Sequence, residues 1–487
     1  MTPLASPRAA DMFDTALAER RRARRIPALS AAVARGGAVV WAGAAGAARA
    51  GEAATPGTAF RIGSITKPMT AVAVLRLVVS GRLRLDDPVG RHLPGAPASD
   101  ATVAQLLTHT AGLPAEPAGP WWERHGGCTW DDLVAMRLPA LWEPGERFHY
   151  SNVGYAVLGR LLEQAHGLAW DDVLRAEVWE PIGMRSTGRT PSGPYADGFA
   201  VHPHADLVLA EPVAEYLAMG PAGEVWSTPT DLVRFGSWLA GADPDTAAEG
   251  DAGADGVLPV EWRRRMTSPR VVVDEPGAGF TTAWGLGVSV RHAGKGAGRR
   301  AFGHGGSVPG FNAELRVDAA TGEAVALCGS SMASVGDVGF LFDLAEALPA
   351  GAPTSSGGEA VRADALPLTG TWYWGPLPYT ISVDARGRLE LRADAEDGRV
   401  TVFERSDARG DQAGEWVGVE GGYWRGERLR PVRARAAAPD APGTRPTAGA
   451  VTALDVGTFH FTRTPYDPES PVPGGVDPAG WQVPPTA

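Results

Sequence analysis

The sequence predicts an α/β (α+β) fold in two parts. A large domain draws its sheet from both ends of its segment around an inserted helical region, and a small all-β domain follows. Three observations carry this reading. Length comes first, because 487 residues exceed what one hydrophobic core usually serves. The second is the order of elements in the first part: helix, hairpin, helical insertion, strands, helix. The third is the change past residue 349 to short alternating strands separated by regular turns.

Met12 to Arg25 places apolar residues at helical spacing and reads as an amphipathic helix. PALSAAVARGGAVVWAGAAG then reads as two strands about the turn Arg35-Gly36-Gly37. A helix opens at Ser64, and Pro68 is tolerated in its first turn, where an N–H would have no intrahelical partner. From Leu83 to about Ala218 the pattern is mostly helical, broken by Pro and Gly, as in ATVAQLLTHTAGLP and YSNVGYAVLGRLLEQAHG. Strands return at AWGLGVSV, AFGHGG, FNAELRVD and EAVALCGSS, and VGFLFDLAEAL closes the domain as a helix. ADPDTAAEGDAGADG is acidic and aperiodic, a surface loop. The boundaries that follow are 12–348 for the large domain, 349–365 for a linker, 366–466 for the all-β domain and 467–487 for a loose tail. In the all-β part LTGTWYWGPLPYTISVDARGRLELR, GEWVGVEGGYWRGERLRPV and VTALDVGTFHFTRTPY alternate apolar and polar residues, with RARAAAPDAPGTRPTAGA as an interrupting loop. Its tryptophans and tyrosines read as core rather than as a binding face.

Composition narrows the function. Hydrophobic residues make up 44% and charged residues 21%, a balance that argues against global disorder. Acidic groups outnumber basic ones, 56 to 45, and the net charge of -11 disfavours nucleic acid as a partner. The arginine run Arg20 to Arg25 with the short apolar IPALSAAVA lacks the long h-region of an export signal, and no stretch approaches a membrane span. Cys128 and Cys328 read as cytosolic thiols, with a single bridge between them left open. The expected setting is cytoplasmic, with no membrane partner.

Chemistry concentrates in FRIGSITKPMTAV. Ser64 and Lys67 are three apart at a helix start and therefore share a face, so the amine can reach the hydroxyl. A lysine whose charge is suppressed by burial can take a serine proton and make the hydroxyl a nucleophile. Two further elements follow: Tyr150-Ser151-Asn152 in a loop ahead of a helix, and His304-Gly305-Gly306 on a strand. His202 and His204 in VHPHAD read as loop residues rather than a metal pair, and no cofactor is expected. His109 reads as structural, and His149 stays open.

Ser-x-x-Lys, Tyr-x-Asn and a basic residue with glycine two places on, in this order, resemble the serine β-lactamase and penicillin-binding superfamily. The branch is the one with class C β-lactamases, D,D-carboxypeptidases, D-aminopeptidases and lactamase-fold esterases. The resemblance runs from about Asp14 to Leu348 and includes the framing segments LLTHTAGLP, PIGMRST and PAGEVWSTPTDLVRF. It implies an antiparallel sheet flanked by terminal helices, with a helical domain beside it and the active site in the crevice between. By the same resemblance Ser64 is the nucleophile, Lys67 its partner, and Tyr150 the phenol that passes a proton to the leaving group. A lysine beside that phenol is expected to hold it closer to its anion. Asn152 is implied to fix Lys67 and the substrate amide, and the N–H groups of Ser64 and Ser307 to form the oxyanion hole. Which of Lys67 and Tyr150 takes the serine proton stays open.

His304 departs from the family's Lys-Thr-Gly. A fixed cation and a hydroxyl are lost, which weakens recognition of a substrate carboxylate unless Arg299 or Arg300 supplies the charge. The function implied is a serine hydrolase acting through an acyl-enzyme on a small ester, amide or short peptide. A D,D-carboxypeptidase or weak β-lactamase is the second reading, and a non-catalytic ligand sensor a third. Oligomeric state is not legible.

Overall fold

The computed structural model describes residues 7–202, 207–242, 254–273, 282–292, 299–332, 335–347, 365–374, 377–384, 387–394, 399–406, 415–421, 423–433, 450–457 and 459–464. Outside them lie His204, residues 243–253 of the acidic loop, the linker up to residue 364, most of the loop after Arg433, and the expected tail. The described residues form two units, one ending in the helix Gly339–Ala347 and the other beginning at Ala365.

The first unit is built on a nine-stranded antiparallel sheet. Its strands, in spatial order, are Glu52–Ala53, Ala38–Arg49, Ala28–Arg35, Ala324–Gly329, Phe311–Asp318, Arg300–Val308, Ser289–His292, Thr282–Trp284 and Val271–Val273. The N-terminal hairpin thus joins the C-terminal strands directly, with Leu29 opposite Gly329 and Ala34 opposite Ala324. Its two-residue turn has φ of 58° at Gly36 and 82° at Gly37, the left-handed pair whose twist matches the flanking strands. The terminal helices Pro7–Ala23 and Gly339–Ala347 cover one face through Phe13, Leu17, Trp41, Leu327, Leu341 and Phe342. Across the other face the helix Pro229–Leu239 packs on the central strands, and a larger core continues into the helical region.

In that region the helix Thr66–Val79 packs against Asn152–His166. The latter begins at Ser151, whose hydroxyl accepts the Gly154 N–H at 3.1 Å, and stops at Gly167 in the left-handed conformation. One short pair departs from the helical reading, Phe199–Val201 with Val208–Ala210; outside that stretch, two pieces not read as strands are the pair Phe60–Arg61 with Trp226–Ser227 and the sheet edge Val271–Val273. Strands of two or three residues are too short to carry a period.

The second unit is a closed barrel of eight strands from Gly370–Trp374 to Phe459–Thr462, sealed where Tyr373 pairs with Thr462. Trp372, Trp416 and Trp424 fill it with Tyr379, Phe403 and Phe461, so these aromatic residues are core as expected, while Tyr423 stands outside. Trp372 satisfies its indole by donating to the Leu368 carbonyl at 2.6 Å. Cys128 and Cys328 are both free thiols, which closes the question of a bridge between them. No helix among the described residues is long and apolar enough to cross a membrane.

Candidate active site

Ser64 sits in a single 3-10 turn, Gly63–Ile65, that runs into the helix Thr66–Val79. Lys67 lies in the first turn of that helix and is fully buried. Its Nζ donates to Ser64 Oγ at 2.9 Å and to the Ala222 carbonyl at 2.7 Å. Burial disfavours the ammonium and brings its pKa down to about 7, against an opposing pull from Glu116 and Glu123. A neutral amine in hydrogen-bond reach of a serine hydroxyl can serve as its base near neutral pH.

Tyr150 presents its ring face to Lys67, with Nζ 4.9 Å from the centroid. The phenol is pushed up rather than down: burial is the main cause, Glu116 and Glu123 add to it, and a hydrogen bond with Ser64 opposes it. The expectation that the lysine holds Tyr150 near its anion is therefore corrected, because burial and two carboxylates outweigh the hydrogen bond with Ser64. Tyr150 is thus a neutral phenol. His109, expected to be structural, stacks on it at 4.3 Å and accepts the Ser151 N–H on Nδ1 at 3.0 Å, which fixes the loop that carries the phenol. Trp284 stands edge-on to Tyr150, His109 and His304, at centroid distances of 5.8, 5.0 and 5.4 Å. His149 turns away onto Trp142.

Asn152 differs from its expected role. Its Nδ2 donates to Glu116 Oε1 at 2.7 Å, while the hydrogen bonds of Lys67 Nζ go to Ser64 and Ala222. Glu116 also accepts from Trp122 Nε1 at 2.7 Å. Glu116, Glu123 and Trp284 are site residues that sequence reasoning missed. The one available signal for Glu116 was its place just beyond LLTHTAGLP.

His304 is buried on the strand Arg300–Val308, and its Nδ1 donates to the Gly305 carbonyl. Burial first, then the charge of Lys67, bring its pKa down to about 3, so the ring is neutral. Nor does Arg299 replace the missing cation: it pairs with Glu346 at 2.7 Å and Asp318 at 3.4 Å. Arg300 lies exposed at the far start of the strand. Next to His304 the strand crosses the Ser64 turn at very close range. A Cβ at Gly306 would lie 1.9 Å from the Ile62 carbonyl oxygen and 3.1 Å from the Ser64 nitrogen, and one at Gly63 would lie 2.9 Å from the Ser307 nitrogen. Two glycines let the backbones meet here, and the meeting puts the backbone at Ser64 beside that at Ser307.

A family model described as Beta-lactamase matches residues 13–347, and one described as a domain of unknown function, DUF7586, matches residues 361–463. Penicillin-binding protein 4 of Amycolatopsis lactamdurans is 30% identical over 301 residues, which are 57% of this chain and 73% of that protein. Esterase EstB of Burkholderia gladioli is 38% identical over 215 residues, 40% of this chain and 53% of the esterase. A D-stereospecific amidohydrolase from Streptomyces sp. superposes with a TM-score of 0.56 at 25% identity, covering 70% of this chain and 99% of that one.

Proposed function

Since the chain belongs to the β-lactamase family over residues 13–347, a family of serine hydrolases, we propose that it cleaves a small ester or amide through an acyl-enzyme on Ser64. The observation that carries this reading is the 2.9 Å bond from a buried Lys67, whose pKa is brought down to about 7, to Ser64 Oγ. Neutral Lys67 takes the Ser64 proton as Oγ attacks the carbonyl carbon. The oxyanion forms beside the N–H groups of Ser64 and Ser307. Tyr150 gives its proton to the leaving group and regains one from the Lys67 ammonium, and water then resolves the ester. The test is a fluorophosphonate followed by peptide mapping. An adduct on Ser64 that disappears in Ser64→Ala is expected, and an adduct elsewhere, or full turnover by Ser64→Ala, overturns the assignment.

The pH profile follows from the direction of the lysine shift. The active form is the free amine, so kcat/KM is expected to climb about tenfold per pH unit on the acid side and level off above about pH 7. A limb that is flat between pH 5 and 8 contradicts Lys67 as base.

Charge in the crevice supports a neutral acyl group rather than a carboxylate beside the reacting carbonyl. His304 is uncharged, Arg299 is engaged elsewhere, and Glu116 and Glu123 flank the catalytic amine. p-Nitrophenyl butyrate is therefore expected to give a higher kcat/KM than nitrocefin, and His304→Lys to narrow the gap. Efficient nitrocefin hydrolysis with no gain in the variant favours the lactamase reading instead. Gly305 is a poor place to restore the family's threonine, because its Cβ would lie 2.5 Å from Glu314 Oε2.

A further inference from the structure

A groove of about 700 Å³ opens beside Tyr150. Phe148 and His149, the two residues before the phenol, form one wall, and Arg270 to Val273 at the margin of the nine-stranded sheet form the other. The groove adjoins the site through Phe148, whose ring meets that of Trp284 at 5.4 Å. Val271 lies in register with Trp284, whose ring touches both Tyr150 and His304, and the Arg270 N–H donates to the Trp284 carbonyl at 2.8 Å.

Its polar character is cationic. Arg147 spreads over the Trp142 ring at 5.1 Å, and Arg270 lines the same groove. Both are exposed, and among the described residues neither has a carboxylate partner. The one acid of the lining, Glu146, is turned to the Glu143 N–H at 3.2 Å. An aromatic floor under a guanidinium with no carboxylate partner, with a second such arginine in the same lining, suits a planar anionic group better than a neutral one. The shape suits an extended one: Val272 is 68% exposed on the outermost strand, which among the described residues pairs only with Thr282–Trp284.

We propose that this groove is the leaving-group subsite and takes an extended leaving group bearing a carboxylate, held by Arg147 and Arg270. The proposal rests on the reading of Tyr150 as proton donor, and it places the group that Tyr150 protonates on the side of Phe148. The anion it binds is remote from the reacting carbonyl, unlike the carboxylate of a β-lactam, which lies next to it. The covalent step is unchanged: the bond from the acyl carbon to the leaving oxygen or nitrogen breaks, and the leaving atom takes the Tyr150 proton.

The test uses two butyrate esters with one acyl group, the ester of 4-hydroxybenzoylglycine and that of 4-hydroxybenzoylglycinamide. Only the leaving-group charge differs. The protein is expected to favour the carboxylate ester in kcat/KM by about tenfold or more, with the preference shrinking as salt rises. In an Arg147→Gln, Arg270→Gln double variant the ratio is expected to fall to near one. A ratio near one in the native protein, or a ratio unmoved by the double variant, overturns the proposal. A ratio is insensitive to partial unfolding, which lowers both rates alike. If neither ester is turned over, the acyl-enzyme reading has failed, and calorimetric titration with 4-hydroxybenzoylglycine and its amide decides the groove alone. Tighter binding of the acid, lost in the double variant, supports the subsite, and equal binding overturns it.

Discussion

Replacement of Lys67 by methionine is expected to lower kcat/KM by about 10²–10⁴-fold, the usual worth of a positioned general base. Methionine roughly fills the volume of the buried side chain but has no proton acceptor for Ser64 Oγ. Stability gives the control. A buried amine whose pKa falls from 10.5 to about 7 on folding opposes folding most below pH 7, and the penalty fades as pH climbs toward 10.5. Removing it lifts that penalty at pH 7, so the variant's Tm, followed by circular dichroism, is not expected to drop. Lost activity with a lowered Tm would point to unfolding instead. Near-native activity in Lys67→Met beside a large loss in Tyr150→Phe would transfer the role of base to the phenol.

Gly306→Ala is expected to cost about 10²–10³-fold in kcat, comparable to removal of an oxyanion donor. The new methyl carbon would lie 1.9 Å from the Ile62 carbonyl oxygen, well inside contact distance, and what it meets is backbone. Strand and turn must separate, and the nitrogens of Ser64 and Ser307 separate with them. Gly305→Ala gives the comparison at the neighbouring residue. Its Cβ meets the Glu314 carboxylate at 2.5 Å, a side chain and not the backbone of the Ser64 turn, so a smaller loss in kcat is expected. Equal kinetic losses in the two variants would show that general distortion of the strand, rather than the oxyanion nitrogens, sets the rate.

Sequence periodicity shows the elements that are long enough to repeat. The hairpin about Gly36 and Gly37, the strand Phe311–Asp318 and the closing helix Gly339–Ala347 are all legible in it. The pairing of Ser64 with Lys67 is legible because one helical turn joins them. Glu116 and Trp284 are not, since each reaches the crevice from a distant segment with no local pattern. The phenol's proton affinity is likewise invisible, because it depends on burial and on carboxylates that only the fold brings near. The barrel's alternation shows strands, but closure is a pairing between Tyr373 and Thr462, which no local pattern encodes.

The N-terminal hairpin has a consequence for how the chain reaches this state. Beside its hairpin mate, Ala28–Arg35 finds its second partner in Ala324–Gly329, almost the whole domain later. During synthesis the hairpin emerges early and carries an unmatched margin until the last strands appear. Loop-closure entropy must be met before that pairing contributes, and such topologies fold slowly. The alanine-rich edge exposed in the meantime is a template for pairing with another nascent chain. Refolding yield is therefore expected to fall with protein concentration, a kinetic competition set by the order in which the strands are made.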